Sequence, residues 1–346
     1  MKLKDAVIIA VTILVILGLF IYINPESYIP QILSFNKFYL SIIVILFLID
    51  LSLRVIRWWF MLLSQEHHLP FKALVYPSLA SSFLNLVLPG RAGELVRLYA
   101  LRDEYDVRYS VGLSVIIVEQ VINMMGLIIV ASLSLGLIMF TGIKLENTFL
   151  NTLIPYAFLG SLVMIIAVIL LFIIDPNNFI PLFFFLPENI KSKVIRLIHT
   201  FRFGLETIKK KFYIFWVALF SSITIWFIEG VIIWIITMSL WNRPEFEFQV
   251  ALFASALGNL NFLFPILPGA ALQYDAFLAI ILSLSSYYPG SGAFSVAFTD
   301  RAIKTITLGI LGSISLLKLG GDTMNVLRRR TDDAQKIEKA KEQFAD

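Results

Sequence analysis

The chain has no cysteine, three histidines, and charged residues at only 15% of its 346 positions. The missing cysteines exclude disulfides, thiolate nucleophiles and cysteine-ligated metals. His67, His68 and His199 all fall in short polar stretches outside the apolar runs. That placement argues against an imidazole relay inside a bilayer and against a His-rich metal site, so no metal and no cofactor is expected. Charge is scarce because apolar residues crowd it out. At 58% hydrophobic residues and a mean hydropathy of +0.84, the chain has more apolar surface than one soluble core of this length can hide. The composition describes an all-α polytopic membrane protein that meets lipid rather than nucleic acid.

Apolar runs long enough to cross the hydrocarbon at 1.5 Å per residue lie near 6–23, 38–64, 110–139, 152–174, 212–240 and 291–318, giving six expected transmembrane helices. The first follows Lys2 and Lys4 and continues into Asn24-Pro25-Glu26 with no small-residue cleavage site. It reads as a retained anchor helix, not a signal peptide. Two further apolar regions, 73–100 and 250–286, are broken in the middle by Leu88-Pro89-Gly90 and Leu267-Pro268-Gly269. Proline removes a backbone donor and ends a helix near that point. Each region is therefore either a pair of half-helices returning to its starting side or one full crossing.

The two broken regions resemble each other. Ala80-Ser81-Ser82-Phe83-Leu84-Asn85-Leu86 is echoed by Ala254-Ser255-Ala256-Leu257-Gly258-Asn259-Leu260, 174 residues later. Downstream, Ser114-Val115 precedes Glu119-Gln120 as Ser295-Val296 precedes Asp300-Arg301. Interrupted hydrophobic segments at corresponding places in two halves point to a transport site between inverted repeats. The repeat halves are expected at about 38–140 and 212–318, within a transmembrane domain of 1–321, followed by a charged tail at 322–346.

Charge selects between the two topologies. With both broken regions returning to their starting side, 21 of the 28 Lys and Arg face the cytoplasm, four lie within spans and three lie outside. Treating 73–100 as one crossing would put the seven cations of 175–211 outside, against the positive-inside bias. The reading is thus two oppositely oriented re-entrant hairpins, with both termini cytoplasmic in the cell membrane. Non-helical backbone at membrane depth persists only when packed in protein or lining a wet cavity, so the breaks at Pro89, Gly90, Pro268 and Gly269 are expected to share one.

Leu88-Pro89-Gly90-Arg91-Ala92-Gly93-Glu94-Leu95-Val96-Arg97, preceded by Arg54-x-x-Arg57 and followed by Glu119, resembles the UPF0104 or lysylphosphatidylglycerol-synthase transmembrane family over about residues 1–320. That family includes flippase modules of bacterial resistance factors and membrane parts of archaeal glycosyltransferases. The resemblance implies lipid translocation or handling of lipid head groups. The chain departs from the family pattern at Gln120, where an arginine is common, and at Ala270-Ala271-Leu272, where glycine is usual.

The expected substrate-binding set is Arg54, Arg57, Arg91, Glu94, Arg97, Glu119, Glu229, Gln273, Asp275, Asp300 and Arg301. Arg91 and Arg97 flank the start of a half-helix whose free N–H groups suit a phosphate-sized anion. The plain alternatives are that Arg97 snorkels to the interface and Glu94 stabilises the first helical turn. Arg54 and Arg57, before Trp58-Trp59, suit either an interfacial Arg/Trp belt or a charged stripe that extends inward through Asp50. Glu119, Glu229, Asp300 and Arg301 lie deeper, where each costs ~2.5–3.5 kcal/mol on the insertion scale, so they must be paired, protonated or wet. Asp300 with Lys304 is the plain pairing. Either both acids only hold the hairpins in place or they carry protons, and then Asp300 beside Arg301 is expected to stay ionised more readily and Glu119 beside Gln120 to be the better carrier. Asn85 and Asn259 are expected to satisfy backbone freed by the breaks, and Gln273 and Asp275 to reach a head group from the outer side.

Segment 188–211 spaces Ile190, Val194, Leu197, Phe201, Leu205 and Ile208 helically against a basic face, as an interfacial helix does. The leading expectation is a lipid flippase, not an enzyme, acting on phospholipids or polyprenyl-phosphate-linked lipids. The alternatives are an intramembrane transferase or phosphatase, or a non-transporting partner subunit. A second copy or a lipid-synthesising enzyme are the protein partners these readings invoke. The topology predicts that an impermeant maleimide labels a single cysteine at Asp106 from the cytoplasmic side only. Outside-only labelling contradicts the hairpins.

Overall fold

A computed structural model describes residues 35–65, 69–87, 91–143, 148–183, 187–241, 247–260, 273–283 and 290–343. The first apolar run at 6–23 and the breaks at Pro89, Gly90, Pro268 and Gly269 lie outside the described residues. Among the described residues there is no strand. In lipid no water satisfies peptide groups, so a helix, which bonds its backbone internally, is the form these apolar runs take.

The helices are α1 (Lys37–Ser64), α2 (Phe71–Val87), α3 (Glu94–Tyr105), α4 (Tyr109–Thr141), α5 (Thr148–Ile173), α6 (Glu188–Lys210), α7 (Phe212–Trp241), α8 (Phe248–Asn259), α9 (Gln273–Ser283) and α10 (Gly290–Gln343). A short 3-10 helix, Pro176–Phe183, precedes α6. Five helices carry stretches long and apolar enough to cross a membrane: Lys37–Ser64, Tyr109–Thr141, Asn151–Leu170, Phe212–Trp241 and Gly292–Leu319. These match five of the six expected spans to within a few residues. α10 runs on through Asp322, so the charged tail continues the last helix. The Asn36 side chain caps α1 by accepting from the Phe38 N–H at 2.9 Å. Hydroxyls within the spans turn back on their own helix, as Ser222 Oγ does to the Ala218 carbonyl at 2.8 Å and Thr237 Oγ1 to that of Ile233 at 2.7 Å.

The order long, short, short, long occurs twice, as α1 to α4 and as α7 to α10. The two sets pack reciprocally. The long helices α1 and α7 lie against each other, α2 packs on α10 of the other set, and α8 packs on α4.

Two apolar cores occupy opposite ends of this bundle. One gathers the C-terminal half of α1, the N-terminal halves of α4 and α7, and Leu74, Leu101, Phe201, Leu205 and Ile208. The other gathers Ile43 and Phe47 of α1, the C-terminal half of α7, Val250 of α8, Leu278 of α9 and Ala293 of α10. α2 starts at the first end, where Phe71 meets Trp59 edge-on at 6.0 Å, and α3 ends there, next to the start of α4. α8 starts at the other end, where Gln249 donates to Thr141 at 3.3 Å.

Close helix contacts rest on small residues, as they do in lipid, where no hydrophobic force drives helices together. A Cβ on Gly126 of α4 would sit 2.6 Å from Ser222 Cβ and 2.9 Å from the Ser222 carbonyl carbon on α7. By contrast, a Cβ on Gly160 of α5 meets nothing within 4 Å. α5 packs on α4 and presents Tyr156, Val163, Ile166 and Ile173 outward, as a peripheral span does to acyl chains. Gly126→Leu is expected to overpack the α4–α7 crossing and cost about 1–3 kcal/mol. Thermal melting in detergent checks this, with Gly160→Ala expected to leave the melting temperature unchanged.

Candidate functional site

Between the two apolar ends lies a layer of charge. α1 places Asp50, Arg54 and Arg57 on successive turns, and Asp50 and Arg57 are buried, at 0% and 3% exposure. α4 contributes Glu119, at 2%, and α10 contributes Asp300, at 1%. An unpaired charge at such depth is costly, and the structure leaves each of these in contact with opposite charge.

Glu119 is the first hub. Its Oε1 accepts from Arg57 Nε at 3.2 Å and Nη2 at 3.1 Å, and its Oε2 accepts from Arg97 Nη2 at 2.7 Å. The remaining Arg57 nitrogen, Nη1, donates to Asn123 Oδ1 at 2.7 Å and Ser222 Oγ at 2.8 Å. Arg57 therefore ties α1 to both α4 and α7. Arg97 of α3 also reaches Glu94 at 2.9 Å and lies over the buried Trp58 ring at 4.1 Å, a cation–π contact. Glu94 accepts from Asn85 Nδ2 at 3.2 Å, across the break between α2 and α3.

The second hub is Glu229 on α7. It takes Arg54 Nη2 at 3.4 Å and an ion pair from Lys304 of α10. Arg54 grips Asp50 with two nitrogens, at 2.7 and 3.2 Å. Lys304 reaches Asp300 at 2.7 Å, and Asp300 accepts the Tyr274 hydroxyl at 2.8 Å. Arg301 turns to Asp275 of α9 at 2.7 Å. Counting Arg54, Arg57, Arg91, Arg97, Arg301 and Lys304 against Asp50, Glu94, Glu119, Glu229, Asp275 and Asp300, the layer is neutral.

Arg91 stands apart in two ways. Its backbone is left-handed, at φ 58°, directly after the Pro89-Gly90 break, a conformation that strains any residue with a Cβ. Its side chain, 26% exposed, donates to Gln120 Oε1 and comes only within 4.0 Å of Glu94. It opens onto a cavity of about 220 Å³ that Gln120, Asn123, Met124 and Leu127 of α4 line with Trp226 of α7. That space takes several waters or a phosphate-sized group, and it is smaller than a site enclosing a whole drug-sized ligand.

The structure corrects several sequence expectations. Arg57 and Trp58 are buried within the bundle, so this stretch is a charged stripe and no interfacial belt. Arg97 is 6% exposed and paired inward, so it does not snorkel. Asn85 bonds a side chain across the break instead of backbone, whereas Asn259 Nδ2 does bond backbone, donating to the Ser255 carbonyl in the last turn of α8 at 2.9 Å. The neighbour argument for proton carriage also loses its premise. Glu119 holds two guanidiniums, while Arg301 leaves Asp300 to Lys304 and takes Asp275. Glu94 does open α3, where its charge favours the helix N-terminus. Gln273 opens α9 and is half-buried. Asn123, Ser222 and Trp226 were missed. Asn123 follows Glu119 by four residues on one helix face, and that spacing could have found it.

Residues 7–312 match the family described as the lysylphosphatidylglycerol synthase TM region. The chain belongs to this family. It is also similar to a UPF0104 membrane protein of Methanocaldococcus jannaschii, at 26% identity over 236 residues, covering 67% of this chain and 92% of that protein. A further relative is the glycosyltransferase AglD of Haloferax volcanii, 22% identical over 332 residues, which are 89% of this chain and 53% of AglD. The chain thus spans about half the length of AglD. No solved structure matches it.

Removing one member of a buried pair strands the other, at a cost of about 3–5 kcal/mol. Glu119→Ala, which strands two guanidiniums, is expected to lower stability by at least that much. Arg102→Ala, at an exposed pair with Asp106, is expected to leave the melting temperature unchanged. Detergent melting of both variants checks the contrast.

Proposed function

We propose that this protein translocates a lipid with a phosphate-bearing head group across the membrane, between two re-entrant pairs, α2–α3 and α8–α9, of inverted repeats. The observation that carries the reading is Arg91. A residue with a left-handed backbone and a partly exposed guanidinium follows the break in one pair and opens onto a cavity where the two repeats meet. A planar guanidinium binds two oxygens of a phosphate at once. Trp226, Met124 and Leu127 offer apolar surface beside it for the adjoining chain. The repeated long, short, short, long order and the opposite ends at which α2 and α8 begin support the inverted arrangement. Family membership supports lipid as the class of substrate. Arg102 and Arg108 before α4, Lys209, Lys210 and Lys211 before α7, and the Lys and Arg of the tail that follows Lys318 in α10 support a cytoplasmic position for those ends.

The name of AglD raises a second reading, a part in glycosyl transfer to a lipid. One preparation separates the two. Proteoliposomes with fluorescent phospholipid in both leaflets, quenched from outside, read translocation, and lipid extracts from the same vesicles read new products. Translocation without products is expected. Arg91→Lys is expected to slow it about tenfold or more while melting is unchanged, because an ammonium replaces the two-point contact with a single point charge. A normal rate in Arg91→Lys contradicts the role given to Arg91, and product formation without translocation contradicts the proposed function.

A further inference from the structure

The basic helix α6 is held at the end of the bundle where α1 and α5 finish and α4 and α7 begin. Lys211 Nζ donates to the Leu63 carbonyl at 3.1 Å, and the Phe201 ring meets Phe172 at 6.2 Å. Phe201, Leu205 and Ile208 are buried in the first apolar core. The apolar stripe continues toward the N-terminus of α6, but protein no longer covers it there. Ile190 is 49% and Leu197 53% exposed. Lys191, Lys193 and Arg196 share that N-terminal half, Arg202, Lys209, Lys210 and Lys211 follow toward the other end, and with Glu188 and Glu206 the net charge over residues 188–211 is +5.

One point on α6 touches the charge layer's support. Gly204 is pressed onto α4 so closely that a Cβ there would lie 2.9 Å from the Ser114 carbonyl oxygen and 2.8 Å from Val118 Cγ2. Val118 immediately precedes Glu119, the hub of Arg57 and Arg97. A close-packed contact of this kind transmits displacement, because it has no slack to absorb it.

We infer that α6 is a leaflet sensor: its exposed apolar, basic half docks onto anionic lipid head groups, and Gly204 couples that docking through α4 to the Glu119 cluster and its cavity. The partner is the membrane surface itself, since a cationic rim around a half-covered apolar stripe complements anionic head groups over acyl chains. The coupling to transport rests on the proposed function; the docking does not.

The full chain, which has no native cysteine to interfere, is reconstituted in phosphatidylcholine vesicles with or without phosphatidylglycerol. One preparation carries an environment-sensitive fluorophore at Leu197→Cys, another at Met124→Cys in the cavity. Phosphatidylglycerol is expected to shift the emission of both probes, and raised salt to reverse the shift. Combining Lys193→Gln, Arg196→Gln, Lys209→Gln and Lys210→Gln is expected to abolish both shifts, each lost charge weakening docking about fivefold. An unresponsive Leu197 probe overturns the docking. A Met124 shift that survives the loss of the four charges overturns the coupling. Neither probe requires lipid movement, so a chain that translocates nothing yet shows both shifts retains this inference and loses only the proposed function.

Discussion

The structure depends on one constraint: six basic and six acidic side chains share the interior of a bundle that lipid surrounds, and each basic group is set against an acidic one. Glu119 solves most of it. By bridging Arg57 and Arg97 it joins α1, α3 and α4, and Arg57 carries the tie to α7 through Ser222. Glu229 does the same on the other side, linking α1, α7 and α10 through Arg54 and Lys304. Buried pairs stabilise little over apolar packing, so a layer this extensive asks for a reason beyond stability. The proposed path for a charged head group would supply one. A lipid phosphate entering the cavity beside Arg91 would exchange one set of ionic partners for another instead of meeting bare hydrocarbon.

The sets α1 to α4 and α7 to α10 share their order of long and short helices and are opposite in charge placement. In the first, the short pair brings Arg97 to the acid Glu119 on the long helix α4 and Arg91 to the neighbouring amide of Gln120. In the second, the short pair brings the acid Asp275 to a cation on the long helix α10. Glu119 and Asp300 hold corresponding places, yet the first takes two arginines and the second a lysine and a tyrosine hydroxyl. The two sets thus share an order of helix lengths and differ in the partners of their charges.

Much of this was legible in the residues. Spans such as 38–64 and 212–240 announce themselves because lipid demands uninterrupted apolar helix, and the echo around Asn85 and Asn259 marks the repeat. Helical spacing rightly grouped Asp50, Arg54 and Arg57. What spacing does not contain is the partner across the bundle. Arg301 follows Asp300 in the chain, yet successive residues of a helix point about 100° apart, so it pairs elsewhere. Arg57 next to two tryptophans looks interfacial until α4 and α7 are packed around it. Ser222 and Trp226 carry no signal of their own, because an apolar helix uses serine and tryptophan for packing as readily as for a site.

Capture tests the proposal that a lipid phosphate is held in the cavity beside Arg91. A photoactivatable side chain placed at Met124, which lines that cavity, is illuminated in native membranes and its adducts are identified by mass spectrometry. Phosphate-bearing lipids are expected on the protein, and their loss in Arg91→Ala. Equal capture of neutral diacylglycerol, indifferent to Arg91, would contradict it.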